Sequence, residues 1–142
     1  MLIYWIDKQR LAGGSEPDLE DFTFLKTFEW GGMICLQDES STGELASLLA
    51  IPYLHIPIKD SSKPTETDLE TILEFFHECQ SDNPNLPVLI HCTTGHGRTG
   101  TILAAILVVI DRIKPEEVIK YIRSINPLAI ETKEQEDFIK NL

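Results

Sequence analysis

Cys92 and Arg98 stand either side of five residues, Thr93-Thr94-Gly95-His96-Gly97, and the whole stretch lies between two apolar runs. Upstream, Pro87-Val88-Leu89-Ile90-His91 reads as a strand; downstream, Thr99-Gly100-Thr101 leads into Ile102 to Ile110, a run suited to a helix buried on all sides. A loop between strand and helix turns successive backbone N–H groups into one concavity. The helix N-terminus adds partial positive charge, so the concavity suits an anion. A thiol held there beside a guanidinium is a nucleophile at neutral pH. The planar fork of Arg98 can grip two oxygens of a tetrahedral oxyanion and keep them as the centre becomes trigonal bipyramidal, which the point charge of a lysine cannot do. Sulfur at one end of a phosphate-shaped cradle and arginine at the other predict phosphoryl transfer to cysteine.

Three other readings fit parts of the stretch. Gly95-x-Gly97-x-x-Gly100 has the spacing of a dinucleotide fingerprint. That unit needs a second strand after its helix, ending in an acidic residue about 20 positions on, whereas the segment after Ile110 reads as another helix. A Walker loop needs a lysine before its Ser/Thr, and the loop has none. A buried structural cysteine is the usual fate of a lone Cys, but strand, three glycines and helix together favour the anion loop.

The string His91-Cys92-Thr93-Thr94-Gly95-His96-Gly97-Arg98-Thr99-Gly100-Thr101 resembles the His-Cys-x5-Arg-Thr signature of the cysteine-dependent protein tyrosine and dual-specificity phosphatases. It is most similar to their small dual-specificity-like members, particularly the compact archaeal ones. The resemblance implies that Cys92 forms a phosphocysteine, that Arg98 binds phosphate together with Thr93, Thr94, Gly95, His96 and Gly97, and that Thr99 stabilises the departing thiolate. It implies no metal and no cofactor. Such enzymes carry a general-acid aspartate on a loop at the end of a strand, about as far upstream of the cysteine as Asp60, which lies 32 positions before Cys92. His55-Ile56-Pro57-Ile58-x-Asp60 also looks like the archaeal relatives; the alternative for Asp60 is an ordinary loop aspartate capping a turn. Thr132-x-x-Gln135-x-x-Phe138 is similar to a late motif of protein tyrosine phosphatases in which a glutamine positions the hydrolytic water. As a helix pattern alone it makes Gln135 a solvated residue, and both readings stand.

By resemblance, the substrate is a phosphotyrosine protein, with phosphoserine or phosphothreonine tolerated. RNA 5′-triphosphatases of the superfamily share the Cys-Thr-x-Gly opening but usually carry Asn where Gly97 stands, and phosphoinositide phosphatases carry paired lysines where this loop has Thr93 and His96. A phospho-binding pseudoenzyme and a sulfur-transfer or arsenate-reducing protein are the rivals from other classes.

The elements that must position these residues fit in one domain spanning 1–142, long enough to bury about two thirds of its unfolded surface. With 12 Lys plus Arg against 23 Asp plus Glu, the net charge of −11 disfavours nucleic acid and anionic membranes as partners. The anion pocket must therefore be made locally. Cys35, Cys79 and Cys92 have no metal spacing and are odd in number, so a reducing cytoplasm is expected rather than a secreted disulfide framework. Cys35 reads as core; a protective disulfide between Cys92 and Cys35 or Cys79 is the alternative. The start lacks the pattern of a signal peptide, and the longest apolar run is far below the roughly 18 residues that span a bilayer.

Strands are expected over Met1 to Ile6, Met33 to Leu36, Pro52 to Ile58 and the run into Cys92. Gly13-Gly14-Ser15 marks a turn. Helices are expected over Asp18 to Phe28, Glu44 to Leu49, Thr65 to Cys79 with a Thr67/Glu70 capping box, the apolar run after Arg98, Pro115 to Ile125, and a last segment containing Gln135. This order predicts an α/β domain with a central, mainly parallel sheet of four or five strands flanked by helices. The cysteine loop should sit at a strand's carboxyl end, where such sheets place their ligands.

Overall fold

A computed structural model describes all 142 residues. Five strands form one sheet: β1 (Ile3–Asp7), β2 (Leu11–Gly14), β3 (Gly32–Cys35), β4 (Tyr53–His55) and β5 (Val88–His91), in the order β1-β2-β5-β3-β4. β1 runs antiparallel to β2, and every other pair is parallel. The helices are α1 (Phe22–Lys26), α2 (Gly43–Leu48), α3 (Glu66–Asp82), α4 (Gly97–Ile110), α5 (Pro115–Ile125) and α6 (Lys133–Lys140). The expected α/β architecture, mainly parallel sheet and flanking helices are those observed.

β5 is central, and its side chains alternate between two cores. Val88, Ile90 and Cys92 belong to the larger one, with Ile102, Leu103 and Ile106 of α4 and Ile122 of α5; Leu89 belongs to the smaller one with Met33, Leu45 and Trp30. α4 is buried from Gly97 to Leu107, as an apolar run without a polar face requires. Each of its fully buried leucines and isoleucines contributes roughly 1.5–3 kcal/mol by leaving water. The smaller core is edged by Trp5 stacked on Trp30, with ring centroids 5.6 Å apart.

Four details depart from the sequence reading. Leu11 to Gly14 is a strand rather than the approach to a turn, paired with β1 on one side and β5 on the other. Its glycines answer crowding: a Cβ on Gly13 would lie 2.7 Å from Leu103 and from the Tyr4 ring. The segment Asp18 to Phe28 is a 3₁₀ turn, Leu19–Asp21, capped by Asp18, followed by the short α1. The capping box of α3 is Thr65 with Asp68, two residues before the expected pair, since Pro64 immediately precedes the helix cap. Last, only Tyr53–His55 of the segment Pro52 to Ile58 pairs as strand, although Ile56 and Ile58 still donate to the Cys35 and Leu36 carbonyls.

Candidate active site

The carboxyl ends of β3, β4 and β5 lie side by side, and each feeds a loop to the same point. The loop after β5 starts with Cys92, 2% exposed and flanked by donors. The Gly95 N–H points at its sulfur from 3.3 Å and the Thr99 hydroxyl from 3.0 Å. Two donors thus converge on Sγ. The loop can fold this tightly because Gly95 has φ +86° and packs on the β2 backbone; a Cβ there would lie 2.7 Å from the carbonyl carbon of Gly14. Tyr4, from β1, fixes the loop from below by donating to the Gly95 carbonyl at 2.7 Å. Burial pushes the Tyr4 phenol above its ordinary range, so it is a permanent donor.

Arg98, on the first turn of α4, is 4% exposed and held by carbonyls and carboxylates together. Nη1 donates to Ile58 O at 2.8 Å and lies 3.3 Å from Asp38 Oδ1; Nη2 donates to Thr93 Oγ1 at 3.2 Å and lies 3.7 Å from Asp60 Oδ1. Nε is buried without a protein partner. A buried donor of this kind is costly unless something accepts from it, and an oxyanion beside Cys92 fits that requirement. The cradle therefore suits a tetrahedral anion on two grounds: a guanidinium fixed in orientation and one unspent N–H.

Asp60 sits where the sequence reading placed it, on the loop after β4, with its side chain 79% exposed. Its Oδ1 accepts from Ser61 N at 2.9 Å, so it also caps its own turn. Thr93 joins the cradle through Arg98, and through Gln37 Nε2 at 3.4 Å. His96 is half-buried; its Nδ1 accepts from Asn126 Nδ2 at 3.0 Å, and its carbonyl from Ile130 N. Gly97 begins α4 directly against Gln135, which is fully buried. Gln135 Oε1 accepts from Glu131 N and Thr132 N, and its Nε2 donates to the Ser62 carbonyl. Thr94 is exposed at the loop's outer edge.

His91, preceding the cysteine, is fully buried. Its Nδ1 lies 3.3 Å from the Cys92 carbonyl, which can only accept, so Nδ1 carries the proton and Nε2 accepts from Thr42 Oγ1 at 2.7 Å. Burial pushes its pKa down to about 4, which keeps the ring neutral. Cys35 lies on the opposite face of the sheet from Cys92, among Gln37 and Ser40. Cys79 packs on Gly32, whose sheet partner is Val88, four residues short of Cys92 and roughly 13 Å away at strand rise. Cys35 thus faces away from Cys92, and Cys79 lies toward the other end of the strand.

Asp38, Gln37 and Tyr4 belong to the site, and sequence reasoning missed them. A signal existed for the first two: they follow a predicted strand at the same edge as Asp60. For Tyr4 there was none, since its contact with Gly95 depends on β1 lying beside β2.

The model of the DSP-PTPase phosphatase domain family described as PTP-SAK, Swiss Army Knife protein, matches residues 2–139. The uncharacterised protein MJECL20 of Methanocaldococcus jannaschii is 38% identical over 92 residues, covering 64% of this chain and 59% of that one. Protein 197R of Invertebrate iridescent virus 6, named as a candidate tyrosine phosphatase, is 31% identical over 146 residues, covering 96% of this chain and 51% of its own length. The chain thus spans little more than half of these curated relatives. Among solved structures, Tk-PTP in its active form superposes with a TM-score of 0.87 at 26% identity, over 99% of this chain and 95% of that one.

Proposed function

The chain belongs to the DSP-PTPase phosphatase domain family, and from that premise we propose that it hydrolyses phosphomonoesters, phosphotyrosine proteins first among them, through a phosphocysteine intermediate and without a metal step. Cys92 Sγ attacks phosphorus; the S–P bond forms as the bond to the leaving oxygen breaks, and Asp60 gives that oxygen its proton. Water then attacks the phosphocysteine, Asp60 takes up the water's proton, and the S–P bond breaks to release phosphate and thiolate. Arg98 and the loop amides hold the three equatorial oxygens through both steps. Thr99 donates to the sulfur as it becomes the leaving group. Asp60 contributes roughly 10²–10⁴ in rate, as positioned acids do.

The observation that carries this reading is the pair of donors converging on Cys92 Sγ, from Gly95 N and Thr99 Oγ1. An inert core cysteine needs neither. For the substrate, the rim supports a single phosphate: Asp38 and Asp60 stand against Arg98, and Glu16, whose N–H donates to the Thr93 carbonyl, reaches Ser40 at 3.5 Å. A polyphosphate, whether on RNA or on inositol, would bring further negative charge onto these carboxylates. No helix is long and apolar enough to cross a membrane, and we place the working thiol in the reducing cytoplasm.

The test is release of phosphate from an aryl phosphate in excess chelator. The wild-type chain should turn over. Cys92→Ser should not, yet should still bind inorganic phosphate with similar affinity. Turnover by Cys92→Ser, or a need for added metal, contradicts the reading.

A further inference from the structure

The N-terminus of α6 is tied to the loop that carries Asp60. Thr132 Oγ1 donates to the Ser61 carbonyl at 3.3 Å, and Gln135 Nε2 donates to the Ser62 carbonyl at 3.2 Å. The same Gln135 amide lies against the catalytic loop: a Cβ on Gly97 would be 3.1 Å from both its Nε2 and its Oε1. One buried side chain thus touches the first residue of α4 on one side and the acid loop on the other. That loop needs an external hold. Asp60 is exposed, and Ser61 adopts φ +66°, a left-handed conformation that is strained for a non-glycine residue.

We propose that Gln135, with Thr132, is a latch that sets the position of Asp60 over the cradle, and so a positioning residue for proton transfer. The inference rests on Asp60 being the acid. Orienting water through Oε1 would require a free lone pair, and both are taken by the Glu131 and Thr132 N–H groups. One of the two Nε2 N–H groups is spent on the acid loop.

Gln135→Glu separates the latch from the fold. A glutamate keeps the Oε1 acceptor of the α6 capping box, since Glu serves there as well as Gln, but sets an oxygen against the Ser62 carbonyl. The experiment measures kcat/KM over aryl phosphates from good to poor leaving groups for wild type, Gln135→Glu, Asp60→Asn and the double variant, with thermal melts alongside. The latch predicts that Gln135→Glu changes the best leaving group by less than about 3-fold and the poorest by roughly 10- to 100-fold, with no further loss in the Asp60→Asn background. A loss equal across the series, or one that multiplies that of Asp60→Asn, overturns it. If Asp60→Asn itself loses equally on every substrate, Asp60 is not the acid and the latch falls with it, a result distinguishable from the previous one. Should Gln135→Glu fail to fold, Gln135→Met, which fills the space without a donor, is read by the same criterion.

Discussion

The Thr99 hydroxyl lies 3.0 Å from Cys92 Sγ, inside the protein and inaccessible to water. In the proposed mechanism a donor so placed stabilises sulfur most when it carries full charge, as the leaving group of the second step. A hydrogen bond to a charged group is worth roughly 1.5–3 kcal/mol, or about 10- to 150-fold in rate. Thr99→Val should therefore lower kcat by that factor on an activated aryl phosphate while leaving a pre-steady-state burst, because the first step suffers less. Thr99→Ser should restore turnover. Stopped-flow measurement of burst and steady-state phases checks both.

Gly95 joins the catalytic loop to the β2 backbone. Gly95→Ala would add left-handed strain of about 1–2 kcal/mol to an overlap with the rigid Gly14 carbonyl carbon at 2.7 Å. The loop must shift, taking the Gly95 N–H away from Cys92. A stability loss of about 2–4 kcal/mol in urea denaturation is expected, together with weaker phosphate binding. Unchanged values for both would mean the loop does not depend on this contact.

His91 makes stability depend on pH. Its folded pKa of about 4 lies below the ordinary value of 6.5, so the unfolded chain binds the extra proton first as pH falls. The stabilisation is complete above about 6.5 and is lost as pH drops toward 4, on the order of 3 kcal/mol in all. His91→Gln should be less stable at neutral pH yet lose less than wild type between those two values. Thermal melts across the window measure the difference in slope, and equal slopes would contradict the assignment.

The cysteine loop, α3, α4 and α5 were legible because their signals are local: a strand edge, glycines, a capping residue, apolar spacing. Asp60 was legible only through the resemblance, since as a lone loop aspartate it also caps its own turn. β2 was not legible. Leu11-Ala12-Gly13-Gly14 has the composition of a turn; what makes it a strand is its pairing with β1 on one side and β5 on the other, and its glycines fit where Leu103 and Tyr4 leave no room for a side chain. Asp38 was lost for a similar reason. It is one acid in the polar stretch Gln37 to Gly43, and its contact with Arg98 follows from β3 lying next to β5 in the sheet order. Gln135 stood between two readings because helical periodicity cannot say what covers a short terminal helix; here its N-terminus is covered by the start of α4 and the loop that carries Asp60.

Covalent capture of the intermediate tests the central claim most directly. The chain is mixed with a radiolabelled or mass-tagged aryl phosphate, quenched in acid within milliseconds and mapped by peptide mass spectrometry. A phosphoryl adduct on Cys92, absent from Cys92→Ser and longer-lived in Thr99→Val, is the predicted result. Turnover with no adduct on Cys92 in either protein, or an adduct on another residue, would contradict nucleophilic attack by this sulfur.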